Sequence, residues 1–197
     1  DFEANSKMAF TLLFRRQLRI KILHKNGFDA ANIEIPIYSS GVDEEKVERL
    51  KAVTYNLENG KVVQTKLDDR SVFRDKLDNN WSVRKFAMPA VKEGSIIEIS
   101  YTVKSGYLFN LRPWQFQGKY PRLWSEYEVN LPQFLVYVFL TQGYHPFHIK
   151  SEDVKYKSYS VTRTNGTYEN VTSTIQAGVY HNRWVIKDVP PLKEEPF

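Results

Sequence analysis

Few residues in this sequence have the types and spacing that chemistry requires. Its four histidines are His24, His145, His148 and His181. Only His145 and His148 stand close, three apart across Pro146 and Phe147, a spacing at which two imidazoles could face one zinc ion. A zinc site takes three or four ligands with a supporting outer layer. The nearest further candidates are Glu152 and Asp153. A polar loop following Gly143 and Tyr144 accounts for the pair more simply, so neither a metal nor any other cofactor is expected. Glu126 and Glu128 could in principle flank a glycosidic bond, but catalytic carboxylates face one another from separate elements. Two positions apart on one strand they point the same way, as a solvated strand face would have them.

Other chemistries are excluded by residue type. The chain has no cysteine, hence no disulfide framework, thiolate metal site or thiol nucleophile of its own. No two of its nine glycines lie within two positions of each other, which removes dinucleotide and phosphate-binding glycine loops. Neither a G-x-S-x-G elbow nor an H-E-x-x-H pair occurs. Arg15, Arg19, Lys21 and Lys25 could form a basic stripe, but Phe10 and Phe14 fall on the opposite side of the same strand pattern. Basic and aromatic residues therefore do not interleave as single-strand binding requires, and no nucleic-acid partner is expected. With 28 Lys and Arg against 23 Asp and Glu, the net charge of +5 is mild for 197 residues.

What stands out is aromatic content: 12 Phe, 12 Tyr and 4 Trp, or 14% of the chain. Exposed rings stack on sugars or anchor partners, whereas strand-borne rings fill cores. Trp124 and Trp184 sit in strand patterns and read as core. The stretch carrying Tyr107, Phe109, Trp114, Phe116 and Tyr120 has the proline breaks of a loop and is the candidate interaction surface. Two Asn-X-Thr sequons begin at Asn165 and Asn170 and matter only in a glycosylating source.

The elements that would carry these residues are strands. Apolar residues occupy even positions Phe10, Leu12, Phe14, Leu18, Ile20 and Ile22, with Arg16 marking a bulge or a strand end. Ile33, Ile35 and Ile37 alternate around Pro36, which places that strand at an edge or near its end. Asn59-Gly60 and Asn165-Gly166 are hairpin turns. Ile97, Ile99, Tyr101 and Val103 share one face of a strand over 95–103, Tyr127, Val129 and Leu131 point inward over 126–131, and a last strand covers 182–189. Short helices fit only around 44–50 and 68–77. The pattern predicts an all-β fold, a two-sheet antiparallel sandwich with long hairpins over 1–189, followed by a linker over 190–197. The longest nearly apolar run, 134–140, is far too short to span a membrane as a helix.

Five segments carry a resemblance. They are Arg19-Ile20-Lys21-Ile22-Leu23, Tyr55-Asn56-Leu57-Glu58-Asn59-Gly60-Lys61-Val62, the run from Met88 through Gly94-Ser95 to Glu98, Leu123-Trp124-Ser125-Glu126-Tyr127, and the closing residues 189–197. In this order they resemble the domain of unknown function found N-terminal to transglutaminase-like domains in bacterial envelope proteins, across nearly the whole chain. The resemblance implies an exported, periplasmic or envelope-located accessory module whose partner is a downstream domain of cysteine-peptidase type. The catalytic residues would belong to that domain, so no catalytic residue is carried over. Peptide, peptidoglycan or glycan are the expected ligands, and a stand-alone carbohydrate-binding or carbohydrate-active sandwich is the alternative. The resemblance also implies that a piece of the opening strand region precedes Asp1, leaving a free sheet edge near 6–14.

Overall fold

The computed structural model describes residues 1–4, 10–108, 111–164 and 170–192. It is an all-β protein, as the alternation predicts, but with three antiparallel sheets in place of two. The strands are β1 (Phe2–Ala4), β2 (Phe10–Lys21), β3 (Asn32–Tyr38), β4 (Lys46–Glu58), β5 (Lys61–Lys66), β6 (Phe73–Lys76), β7 (Trp81–Ala87), β8 (Ile96–Ser105), β9 (Arg122–Pro132), β10 (Ile149–Thr164) and β11 (Asn170–Val189). Contacts divide them into two compact units, Leu12–Tyr107 and a second formed by Asp1–Thr11 with Leu108–Phe197.

The first unit is the two-sheet sandwich. One sheet runs β2-β8-β4-β5 and the other β3-β7-β6. Their shared core holds Ile35 and Ile37 of β3, Val47 and Ala52 of β4, Phe86 of β7, and the expected stripe Ile97, Ile99, Tyr101 and Val103 of β8. Pro36 lies in the edge strand β3, where its missing N–H costs no ladder bond. The Asn59-Gly60 turn has φ of 50° and 74° at its two central residues, the left-handed pair that a tight two-residue hairpin needs.

Three local expectations are corrected here. Arg16 causes no bulge: β2 pairs with β8 without interruption, and Arg16 takes a half-buried, inward position opposite Tyr101. The irregularity lies in β4, where register shifts between Glu48 and Lys51 and Arg49 adopts a φ of 55°. No helix forms over 44–50, because Val47 is drawn into the core opposite Val103 and the shift at Arg49 produces the break in alternation. Beyond it Ala52, Thr54 and Asn56 face inward, whereas Leu57 is exposed. Only Asp69–Ser71 of the second expected helix is helical, a 3-10 turn capped by Asp68, and β6 follows at once. A second 3-10 helix, Lys25–Ala31, had no sequence signal.

The 88–95 loop is fixed from inside the sandwich. Asn56 donates its side-chain N–H to the Ala90 carbonyl at 2.8 Å and accepts from the Ser95 hydroxyl at 2.5 Å. Ser95 Oγ in turn accepts the Lys92 backbone N–H at 2.9 Å. Ala90 is thereby held at φ 53°.

The second unit is built on the sheet β10-β11-β9. β10 and β11 pair continuously from Ile149↔Val185 to Thr164↔Asn170, whereas β9 reaches only from Val179 to Val189 of β11. The Asn165-Gly166 turn itself lies outside the described residues, as do 6–9 of the expected free edge, Phe109 and the Asn165 sequon. Tyr159, Ala177 and Val179 form a small core against Ala4 and Phe10. The segment after Val189 is tied back: Leu192 donates its N–H to the Gly118 carbonyl and Gln117 bonds to the Pro190 carbonyl, each at 2.9 Å.

N56A is expected to lower stability by about 1–3 kcal/mol, because it strands the Ser95 hydroxyl and the Ala90 carbonyl. L57A, at an exposed neighbour, is expected to stay within about 0.5 kcal/mol of wild type; equal denaturant midpoints for the two would contradict this account of the loop. Thr54 is fully buried and its hydroxyl has no partner among the described residues. T54V should therefore raise the thermal midpoint, and a clear drop would show that the hydroxyl is satisfied in solution.

Candidate functional site

Of the five residues singled out as an interaction surface, Phe109 lies outside the described residues and the other four are divided between the two units. Tyr107 belongs to the sandwich unit, where its ring packs edge-on to Tyr38 with centroids 4.7 Å apart. Its hydroxyl lies 2.6 Å from the Asp43 carbonyl and accepts the Ser40 N–H at 2.9 Å, pinning the turn before β4. Trp114, Phe116 and Tyr120 lie half-buried in the irregular segment of the other unit.

Trp114 is one end of a column of rings on the β9-β11 sheet. It stacks on Tyr127 at 5.7 Å with planes 9° apart, and its indole N–H reaches the buried Ser125 hydroxyl at 3.2 Å. Tyr127 lies directly opposite Trp184 across β9 and β11, with centroids at 6.1 Å, and Phe139 closes the column against Trp184 at 4.9 Å. The Tyr127 hydroxyl donates to the Arg112 carbonyl at 2.9 Å, and burial pushes its pKa up. The column fastens the irregular segments around Trp114 and Phe139 to the sheet. Phe116 is spent in the same way, edge-on to Phe147 at 5.5 Å, and Tyr120 lies within 5.4 Å of the Lys119 ammonium.

The opposite side of β9 holds a more open cluster. Trp124, which its strand pattern assigns to the core, is 49% exposed. Its indole N–H donates to one Glu126 oxygen at 2.7 Å, and Arg183 Nε donates to the other at 2.6 Å. His148 stands edge-on to the indole at 5.9 Å. Strand alternation explains the grouping, since Trp124, Glu126 and Glu128 share a face and Glu128 lies opposite Arg183. The only signal for it in the sequence is the Trp-x-Glu-x-Glu spacing; the long-range partner, Arg183, has none.

This geometry bears on chemistry. The Arg183 guanidinium, then the Trp124 N–H, hold the Glu126 carboxyl below the usual carboxylate range, although partial burial opposes them. A general acid needs the reverse shift. Ionised at neutral pH, Glu126 is an acceptor that orients Arg183 and the indole. Glu128 points the same way and accepts from Asn130 at 3.1 Å, so the two carboxylates do not flank a common space. On the sandwich unit, Arg19, one of the basic residues weighed above as a stripe, is paired with Glu98, which also accepts the Tyr55 hydroxyl. Among the described residues no three His, Cys, Asp or Glu side chains converge as a metal would require, and no helix is long and apolar enough to cross a membrane.

Because the folded pKa of Glu126 is depressed, its contribution to stability is full above the unfolded carboxylate value and is lost as pH falls through the folded one. The thermal advantage of wild type over E126Q is expected to be largest near neutrality and to shrink in acid. An advantage that grows on acidification would contradict the assigned pairing with Arg183.

Comparison with known proteins places the fold. The whole chain superposes on part of a crystal structure from Parabacteroides distasonis named a "putative protease", with a TM-score of 0.60 and 11% identity. At that identity the likeness speaks to fold alone. The chain spans 35% of that chain's length. No curated protein matches the sequence. Residues 11–169 match the family described as a domain of unknown function with a solved structure, DUF3857, and the chain belongs to that family.

Proposed function

We propose that this chain is a non-catalytic accessory module of a longer, exported polypeptide, packing on or presenting substrate to a transglutaminase-like domain of cysteine-peptidase type. The observation that carries this reading is the apolar surface of the second unit. In the irregular segment after β9, Val136, Val138 and Leu140 are 90%, 82% and 88% exposed, and the Tyr144 side chain is fully so. The intervening Tyr137 and Phe139 rest on Phe2 and Trp184. The segment thus holds one side against its own unit and offers the other outward. Contiguous apolar surface of this kind marks an interaction site.

Two further points support the reading. The fold recurs as about a third of a longer chain named for proteolysis, and this sequence contains no cysteine, so a thiol nucleophile would have to come from elsewhere. The envelope location follows from the resemblance of the five sequence segments. A second reading, a carbohydrate-binding sandwich, draws on one observation: the half-exposed Trp124 ring flanked by Glu126 and Arg183. Such a ring beside hydrogen-bonding groups suits the apolar face and hydroxyls of a sugar.

The test compares the chain alone with the polypeptide that joins it to its transglutaminase-like domain. Alone, it is expected to turn over neither peptides nor glycans. In the joined protein, V136S/V138S/L140S is expected to lower the thermal midpoint, while the same variant leaves the isolated chain unchanged or slightly more soluble. Turnover by the isolated chain that disappears in E126Q with folding intact would overturn the accessory reading. Saturable quenching of Trp124 fluorescence by oligosaccharide, abolished in W124A, would favour the second.

A further inference from the structure

Independently of that reading, the sandwich unit carries a site that its fold does not require. β6 pairs with β7 so that Arg74 stands directly opposite Arg84. Like charges in that position destabilise a sheet, and the two arginines have different surroundings. Arg74 is bound: its guanidinium pairs with the Glu44 carboxylate and donates to the Ser82 hydroxyl at 3.1 Å.

Arg84 is not. It lies half-buried on the inward side of β7, between buried Ser82 and Phe86, and its neighbour on β3 is the fully buried Ile35. Among the described residues no carboxylate, carbonyl or hydroxyl accepts a hydrogen bond from it. A guanidinium drawn partly out of water without a counter-charge is costly. An inward position beside Ile35 and Phe86 would suit an apolar side chain better, so sandwich packing does not account for Arg84.

Arg74 and Arg84 line one open cavity of about 290 Å³ together with Asp69, Val72 and Phe73. We propose that this cavity binds a carboxylate carried on an apolar group, with Arg84 as its principal ligand and Arg74 beside it. The planar fork of a guanidinium presents two parallel N–H donors at the spacing of carboxylate oxygens. Phe73, 61% exposed, and the half-buried Val72 supply an apolar wall for the carbon skeleton. The remaining charges set the preference: Glu44 already neutralises Arg74, and Asp69 adds a negative charge to the wall. A monoanion is therefore favoured over a phosphate dianion.

Titration of the whole chain with 3-phenylpropionate, acetate and inorganic phosphate, followed by amide NMR, tests the site. Shifts are expected at residues 69–74 and 82–86, saturating at the lowest concentration with phenylpropionate and at the highest with phosphate. R84Q is expected to weaken phenylpropionate binding at least about tenfold and R84K to weaken it as well, because an ammonium cannot form the fork. R70Q, whose parent side chain is held by Asp68, is the control and is expected to bind normally. Each variant's dispersed spectrum reports its folding. Absence of localised shifts, or equal affinity in R84Q, would overturn the site, and tighter binding of phosphate would overturn the carboxylate assignment.

Discussion

The sandwich depends on one stripe of side chains. Ile97, Ile99, Tyr101 and Val103 project from the inner face of β8, a strand paired on one side with β2 and on the other with β4. Each such side chain, fully buried, contributes about 1.5–3 kcal/mol relative to exposure. The same stripe fixes where β3 and β7 must lie, because their inward residues Ile35, Ile37 and Phe86 fill the same core. A one-residue slip of β8 would turn all four to the opposite face. The register shift in β4 and the inward Arg16 are accommodated around this stripe.

The second unit is organised differently. Its sheet is a long two-stranded ribbon with β9 added along part of its length, and such a ribbon has little core of its own. Aromatic stacking does much of the fastening: the column from Trp114 through Tyr127 and Trp184 to Phe139 holds irregular segments to the sheet. The abundance of rings is therefore mainly structural here. Outside the column, Trp124 on one face and Val136, Val138 and Leu140 in the loop are among the exposed apolar side chains of this unit.

Local patterns made much of this legible in the sequence. The alternation of β2, β3 and β8, the proline at an edge and the Asn59-Gly60 turn each rest on neighbours within a few residues. Long-range pairing was not legible. Nothing near Arg74 announces that Arg84 will stand opposite it, and nothing near Glu126 announces Arg183. The division into two units was hidden for the same reason, since strands of both read alike as alternating segments. The expected helix over 44–50 failed because a bulge at Arg49 imitates the loss of period 2. The strand pattern points Trp124 inward, but its ring is half exposed.

The function proposed above is that this module acts by contact with another domain and not by a reaction of its own. Hydrogen exchange on the chain alone and on a polypeptide joining it to the transglutaminase-like domain proposed above tests it most directly. The account predicts added protection in the joined protein over 134–144, where the exposed Val136, Val138 and Leu140 lie, with the β8 core unchanged. Identical exchange at 134–144 in the two proteins would contradict it.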